Sequence, residues 1–361
     1  MSVDYNVLQT FFDYDEDDLE FDRVVNNIDT VNIDYGVDII FQYYRRHGFP
    51  HYKIREEEKH EHMIKLQKFD INTILDGDKI IQTMHALRLA WSYFPFFWEI
   101  RCGNSMKSPM ETFLDDDKFK STIKKCWNWE LKHYKGENKN SKLHKFHENR
   151  LRQSIKIYTG TQSVSNFRPT AAKLIYEKYG GPVIRDMSCG WGGRLLGFLA
   201  ASNTKHYIGT EPATRTYNGL LKMKKDFSYL EKQIDIYKQG SEDFIPEKNS
   251  LDLCFTSPPY FDTEKYSDEP TQSYIKFPTE NEWMNEFMRK TMENCYYGLK
   301  GGKYMLINIA NTSKHKFIED STIKIAEECG FTYKDTLQLT LSSVMGAGYK
   351  YEPIFVFKKE S

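Results

Sequence analysis

This 361-residue chain is most informative first for what it lacks. Its six cysteines, Cys102, Cys126, Cys189, Cys254, Cys295 and Cys329, form no Cys-x-x-Cys pair and no Cys/His group at zinc-ligand spacing. A structural zinc site and a disulfide framework are therefore not expected; free thiols in a reducing compartment are. No stretch reaches the roughly 18 to 20 apolar residues that cross a bilayer, and residues 1–10 lack the basic start and apolar run of a signal peptide. The expectation is a cytoplasmic protein with neither a membrane nor a metal among its partners. The histidines give no site either: His60 and His62 lie in the charged stretch Arg55-Glu-Glu-Glu-Lys-His-Glu-His62, which reads as a solvated helix face.

A net charge of −1 hides a strong asymmetry. Residues 1–40 carry eleven Asp or Glu against Arg23 alone, so the remainder of the chain stands at +9. Residues 118–156 hold twelve Lys or Arg and three Glu, again +9, interleaved with Trp127, Trp129, Tyr134 and Phe146. Such a segment suits phosphate neutralisation plus base stacking, with Lys120, Lys124, Lys125, Arg150 and Arg152 as candidate phosphate contacts. The other reading is a solvated helical face whose tryptophans pack inward. Tyr93-Phe-Pro-Phe-Phe-Trp98 reads as core.

The texture of the chain changes near residue 160. Before it, apolar residues recur three and four apart, as in Ile80-Ile-Gln-Thr-Met-His-Ala-Leu-Arg-Leu-Ala-Trp91, and the expectation is an acidic arm (1–40) followed by an α-rich domain (41–160). Gly136-Glu-Asn-Lys-Asn-Ser-Lys142 reads as an exposed loop. After it, short apolar runs alternate with amphipathic segments, the signature of a βαβ sheet over 161–361. Candidate strands are 183–187, 206–209, 234–238, 251–255, 303–309, 332–340 and 354–357, and candidate helices 170–179, 194–201, 214–227, 282–297 and 321–329. The last two strands have no helix between them and read as a hairpin. This α/β pattern of seven strands resembles the Rossmann-like sheet of methyltransferases that use S-adenosylmethionine (SAM).

Arg185-Asp-Met-Ser-Cys-Gly-Trp-Gly-Gly-Arg194 joins the first strand to a helix, where a doubly wound sheet binds a nucleoside cofactor. The loop has no Lys-Ser/Thr after its glycines and departs from Gly-x-Gly-x-x-Gly, which argues against a phosphate cradle and a dinucleotide fingerprint. A SAM site needs instead acceptors for an ammonium and for ribose hydroxyls. Asp186, ending the first strand, and Glu211, ending the second, are placed for those two tasks, while Asp243 after the third strand would sit beside the adenine or else serve as a helix cap.

The fourth strand ends in Thr256-Ser-Pro-Pro-Tyr-Phe261, where two prolines hold the backbone extended beside the expected substrate. An exocyclic base amine is a poor nucleophile because its lone pair is conjugated into the ring. The Ser257 hydroxyl and the Pro258 carbonyl would accept from that amine and free the lone pair. Tyr260 offers a face on which an extruded base stacks.

Asp186 to Gly193 together with Thr256-Ser-Pro-Pro-Tyr260 resembles the cofactor and catalytic motifs of the DNA amino-methyltransferases, and Asn166-Phe-Arg-Pro-Thr170 resembles their remaining cofactor motif. The resemblance covers about residues 164–359. It implies a cofactor set of Phe167, Arg168, Pro169, Thr170, Asp186, Ser188, Gly190, Glu211, Asp243 and Thr256, and a catalytic set of Ser257, Pro258, Pro259 and Tyr260. SAM is the implied cofactor and DNA the implied partner. A leading Ser, more common among cytosine-N4 enzymes than adenine-N6 enzymes, implies cytosine N4; the Pro-Cys pair of cytosine-C5 enzymes is absent. Only about one hundred residues follow Tyr260, so target recognition is expected from the N-terminal domain. The loop Phe261-Asp-Thr-Glu-Lys-Tyr-Ser-Asp-Glu-Pro270 reads either as a lid, with Tyr266 as a second nucleic-acid contact, or as a surface loop. The competing functions are the same chemistry on RNA or a protein amide, and a nucleic-acid-binding protein that keeps the fold without turnover.

Overall fold

The computed structural model describes residues 33–103, 106–133, 148–344 and 348–361. Most of the acidic arm and the loop at 136–142, with Tyr134 and Phe146, lie outside the described residues. Among the described residues the main α-helices are, in chain order, α1 (Ile33–His47), α2 (Glu56–Gln67), α3 (Leu87–Ser92), α4 (Pro109–Leu114), α5 (Asp116–His133), α6 (Glu148–Ile157), α7 (Pro169–Tyr179), α8 (Gly193–Ala200), α9 (Thr214–Asp226), α10 (Arg289–Gly298) and α11 (Ile318–Glu328). Among the described residues no helix is long and apolar enough to cross a membrane, and no group of three His, Cys, Asp or Glu could hold a metal ion. No disulfide joins any of the six cysteines.

The chain divides into two compact units, Met1–His51 with Trp98–Val164, and Tyr52–Phe97 with Ser165–Ser361. The first unit is helical, built from α1, α4, α5 and α6. Its interior is aromatic: the Phe113 and Phe119 rings meet at a tilt of 59° with centroids 4.7 Å apart, and the Arg45 guanidinium lies 4.5 Å over Phe41 while pairing with Asp116 at 2.8 Å. Ser108 caps α4 by accepting from the Glu111 amide at 3.2 Å, and Glu111 returns the bond to the Ser108 amide at 2.8 Å.

The second unit holds the sheet. Strands β1 (Leu75–Asp76), β2 (Lys79–Ile80), β3 (Val183–Asp186), β4 (His206–Thr210), β5 (Gln233–Tyr237), β6 (Leu251–Thr256), β7 (Leu299–Asn308), β8 (Thr332–Val344) and β9 (Gly348–Lys358) line up as β1-β2-β8-β9-β7-β6-β3-β4-β5. β6 is buried at all six residues, as a central strand covered on both faces must be. β3 to β7 run parallel, and β9 enters antiparallel between β7 and β8. The order reverses between β3 and β6, which opens a crevice at the carboxyl ends of those two strands.

The sheet has nine strands where the sequence suggests seven. The additions are β1 and β2, a two-residue hairpin turned at Gly77 (φ +61°) whose second strand pairs with β8, Lys79 opposite Gln338 and Ile80 opposite Leu339. Helical periodicity over 80–91 is thus only partly used: Ile80 joins the open sheet edge, and the helix begins at Leu87. The partition also departs from a contiguous 41–160 domain, because residues 52–97 are fastened to the sheet. Asp226 accepts from Lys59 Nζ at 2.6 Å and from the Tyr93 hydroxyl at 2.9 Å, Lys173 Nζ donates to the Phe69 carbonyl at 2.7 Å, and the Thr83 and Thr170 hydroxyls bond at 2.9 Å. Periodicity reports that a helix has an apolar face, not what that face covers.

Candidate active site

The turn from β3 to α8 requires backbone that only glycine adopts cheaply: Gly190 and Gly192 take φ of +56° and +72°. Gly193 answers a different need. A Cβ there would lie 1.9 Å from the Phe167 carbonyl oxygen, so the segment Asn166–Thr170 is pressed directly onto the loop. Asn166 Nδ2 donates to the Trp191 carbonyl at 2.9 Å, and the Phe167 ring meets Phe255 edge-on at 5.2 Å.

Asp186 is fully buried at the centre of this assembly. Its Oδ1 accepts from the Ser188 amide at 3.2 Å and the Thr256 hydroxyl at 3.2 Å; its Oδ2 accepts from Arg194 Nε at 2.9 Å and the Tyr207 hydroxyl at 2.6 Å. Two bonds to each oxygen leave no acceptor turned toward a ligand ammonium, so the direct role expected for Asp186 gives way to holding the loop. Arg194 also donates to the Ser188 carbonyl. Thr256 is buried in the same knot, which brings the Ser-Pro-Pro-Tyr motif to the glycine loop.

Glu211 follows β4. Its Oε2 accepts from the Gly190 amide and its Oε1 from the Ala213 amide, each at 3.0 Å. Burial pushes the carboxyl up to about 7, against the pull of those two amides. Arg168 stands at the start of α7 with one bond, to the Asn166 carbonyl at 3.2 Å, and its Nε finds no partner among the described residues. Burial pushes its pKa down, which an anion would relieve. The neighbouring Pro169 is buried at the first turn of α7, and the Thr170 hydroxyl is taken by Thr83, so Thr170 serves packing rather than ligand contact. Asp243, on a turn after β5, pairs with Lys276 at 2.6 Å, and Lys276 also holds buried Glu242 at 2.8 Å.

Beyond Pro258 and Pro259, the Tyr260 ring is half-buried and its hydroxyl donates to the Asn308 carbonyl at 3.5 Å. The chain then turns sharply at Phe261, a non-glycine residue at φ +53°, held by ring contacts with Trp283 and His315 at 5.8 and 5.2 Å. Such a conformation costs about 1–2 kcal/mol and is kept where the surroundings fix it. The following loop is tied at both ends. Asp262 accepts from His315 Nε2 at 2.8 Å and Lys314 at 2.5 Å, while Glu269 accepts from the Thr214 amide and hydroxyl at 2.8 and 2.6 Å. Midway, Tyr266 bonds to Glu264 and meets Trp191 of the glycine loop at 5.7 Å.

The three motifs therefore converge on one crevice at the carboxyl ends of β3 and β6. Residues 251–361 match the DNA methylase family. The resemblance carried by the Ser-Pro-Pro-Tyr motif is thus upheld over that segment, and the sheet that holds it is Rossmann-like. No curated protein matches the chain. Solved structures similar to it include a TehB-like SAM-dependent methyltransferase from Corynebacterium glutamicum (16% identity, 54% of this chain and 90% of that one, TM-score 0.35), the N-methyltransferase NodS from Bradyrhizobium japonicum (13%, 54% and 94%, 0.38) and a methyltransferase from Pyrococcus furiosus (12%, 58% and 94%, 0.37).

The residues of this crevice fit SAM on their own chemistry. A Glu211 carboxylate at the end of β4 suits ribose hydroxyls, and the buried guanidinium of Arg168 suits a carboxylate. The candidate DNA contacts lie in the helical unit, apart from Tyr266. Lys120 pairs with Asp38 at 2.7 Å and Lys124 with Asp34 at 2.6 Å, so the acid-rich start of the chain neutralises part of the basic stripe. Lys125 lies 6.0 Å from the Tyr158 ring centroid, and the Arg150 guanidinium stacks 3.7 Å over Trp129. Arg152 departs from expectation: it is buried and paired with Glu148 at 2.5 Å, out of reach of a phosphate. Sequence reasoning missed Arg194, Tyr207, Asn308 and His315, all of which touch the motifs or their supports, and no local pattern signals them.

Proposed function

We propose that the protein methylates an exocyclic amino nitrogen of a base in DNA, cytosine N4 in preference to adenine N6, with the base turned out of the duplex. One observation carries this reading: the Thr256–Asp186 bond joins the Ser-Pro-Pro-Tyr motif to the glycine loop, so acceptors for an amine stand beside a nucleoside pocket. Bound SAM supplies an electrophilic methyl group on a sulfonium. The chain's own part is to orient and to withdraw a proton. Glu211 would accept from the ribose hydroxyls and Arg168 would face the methionine carboxylate. Ser257 Oγ and the Pro258 carbonyl would accept from the base amine, drawing its nitrogen toward tetrahedral geometry. Tyr260 and Tyr266 would offer aromatic faces to the extruded base. Holding the reacting atoms in line supplies most of the acceleration. Lys120, Lys124, Lys125 and Arg150 are proposed to meet phosphates from the helical unit, which would then serve target recognition.

The test is to incubate the protein with methyl-labelled SAM and unmodified duplex DNA, digest to nucleosides and identify the labelled product by mass spectrometry. N4-methylcytosine is the expected product. N6-methyladenine would overturn the Ser257 assignment alone. Label appearing only in RNA or protein supplied in parallel would overturn the substrate class.

A further inference from the structure

His315 lies outside every motif, yet it grips the chain just beyond one of them. β7 ends at Asn308, whose carbonyl receives the Tyr260 hydroxyl, and the segment that follows is fixed by its own bonds. The Thr312 amide donates to the His315 carbonyl at 2.9 Å and the His315 amide to the Thr312 hydroxyl at 3.0 Å. The Asn311 amide donates to the Glu319 carboxylate at 2.7 Å, and the Glu319 amide returns a bond to Asn311 Oδ1 at 3.2 Å.

On this braced turn the His315 ring is buried, 1% exposed, and both of its nitrogens meet carboxylates: Nε2 donates to Asp262 at 2.8 Å and Nδ1 to Glu280 at 2.5 Å. A carboxylate only accepts, so the ring carries both protons. Lys314 takes the other Asp262 oxygen at 2.5 Å. Burial would raise the Asp262 carboxyl, but Lys314 and His315 outweigh it and hold it below its ordinary range. The same imidazole meets Phe261 and Phe317 edge-on, at 5.2 and 6.3 Å. Three separate segments thus converge on one side chain: the turn at Phe261–Asp262, the short helix Glu280–Glu282 and the turn after β7.

Phe261 follows Tyr260 directly and stands at φ +53°, a conformation that must be held from outside. The Lys314–Asp262 pair is half in water and returns little. The buried, charge-assisted bond from His315 is the stronger hold.

We propose that His315 is a positioning residue for methyl transfer, an inference that rests on the amino-methylation reading above. By gripping Asp262 and packing on Phe261, it sets the path on which Ser257–Tyr260 leaves β6, and so where the Ser257 hydroxyl and the Pro258 carbonyl meet the base amine. Its part is orientation alone. Without it Phe261 relaxes to an ordinary φ, and the acceptors lose their alignment with the methyl donor. The nucleoside crevice has separate braces, Asp186 with Arg194 and Tyr207, and Glu211 with the Gly190 and Ala213 amides, so the way SAM is held stays as it was.

The experiment measures single-turnover methyl transfer by the full chain, at saturating labelled SAM and duplex DNA, beside calorimetric SAM binding and Tm. His315→Gln, which keeps one donor, should be about 10-fold slower, and His315→Phe, which keeps only the packing, about 10²-fold slower. Both should bind SAM with the wild-type Kd and stoichiometry. Asp262→Asn should be slow as well, and the His315→Gln, Asp262→Asn double variant no slower than the slower single one, because both remove the same bond. Glu280→Gln, at the exposed arm, should change the rate by about twofold at most. A role in stability alone would lower Tm and the fraction of molecules that bind SAM, and leave the rate per SAM-binding molecule untouched. If His315→Phe fails to bind SAM because it does not fold, His315→Gln and Asp262→Asn decide. Wild-type rates per SAM-binding molecule in those two variants overturn the positioning role and leave the function standing. Wild type that methylates neither base overturns both.

Discussion

At Glu211, burial and hydrogen bonding pull in opposite directions, and burial wins: the carboxyl is pushed up to about 7 despite the Gly190 and Ala213 amides. The ordinary value is 4.5, so between the two values the folded chain binds a proton that the unfolded chain does not. Stability owed to this group is full below pH 4.5 and is lost as pH rises through about 7. A ribose needs the charged form, so SAM binding should favour higher pH and release a proton below about 7. Its Kd, measured by calorimetry, should rise as pH falls from about 8 to about 6, at up to about tenfold per unit below the pKa. Glu211→Gln should bind about 10-fold or more weaker at the upper pH, with no such slope. A wild-type Kd indifferent to pH would remove Glu211 from the ribose.

Between elements, contact distances rank the glycines of the β3–α8 loop. A Cβ on Gly193 collides with the backbone of Phe167, whereas one on Gly190 has 3.8 Å of room and meets only an unfavourable φ. Gly193→Ala should therefore cost about 1–3 kcal/mol or more in urea unfolding and abolish SAM binding, and Gly190→Ala should cost about 1 kcal/mol and weaken it. The reverse ranking would mean that Asn166–Thr170 does not press on the loop. The same elements explain what could be read in advance. β3 and β6 are covered on both faces, so their apolar runs stand out, and a glycine-rich turn after an apolar strand has few other meanings. β1 and β2 are two residues each and exist only because β8 leaves an edge to pair with, which no local pattern records. Asp186 was legible as an acid at a strand end. Its saturation was not, because Arg194, Tyr207 and Thr256 arrive from three other elements. Arg152 reads as surface cation by residue type, and only the packing of α6 buries it.

Across the whole molecule, the methylase motifs occupy residues 166–260, but the unit that carries them begins at Tyr52. Phe94 lies against Gly192 and Gly219, where added Cβ atoms would fall 3.2 and 2.5 Å from its ring, and Lys59 is buried against Asp226. A fragment of residues 165–361 should therefore lack a cooperative thermal transition and SAM binding, while joining 52–97 to it through a short linker should restore both. A fragment that folds and binds SAM by itself would show that 52–97 is an accessory. The interruption of this unit also sets an order of events for a chain emerging from the ribosome. The Thr340 hydroxyl reaches the Ile80 carbonyl across 260 residues, and β2 waits for β8 while residues 98–164 of the helical unit and most of the sheet are made. Contacts of such high sequence separation close late and slowly, so the helical unit should mature first and residues 52–97 should spend that interval exposed to proteases and chaperones.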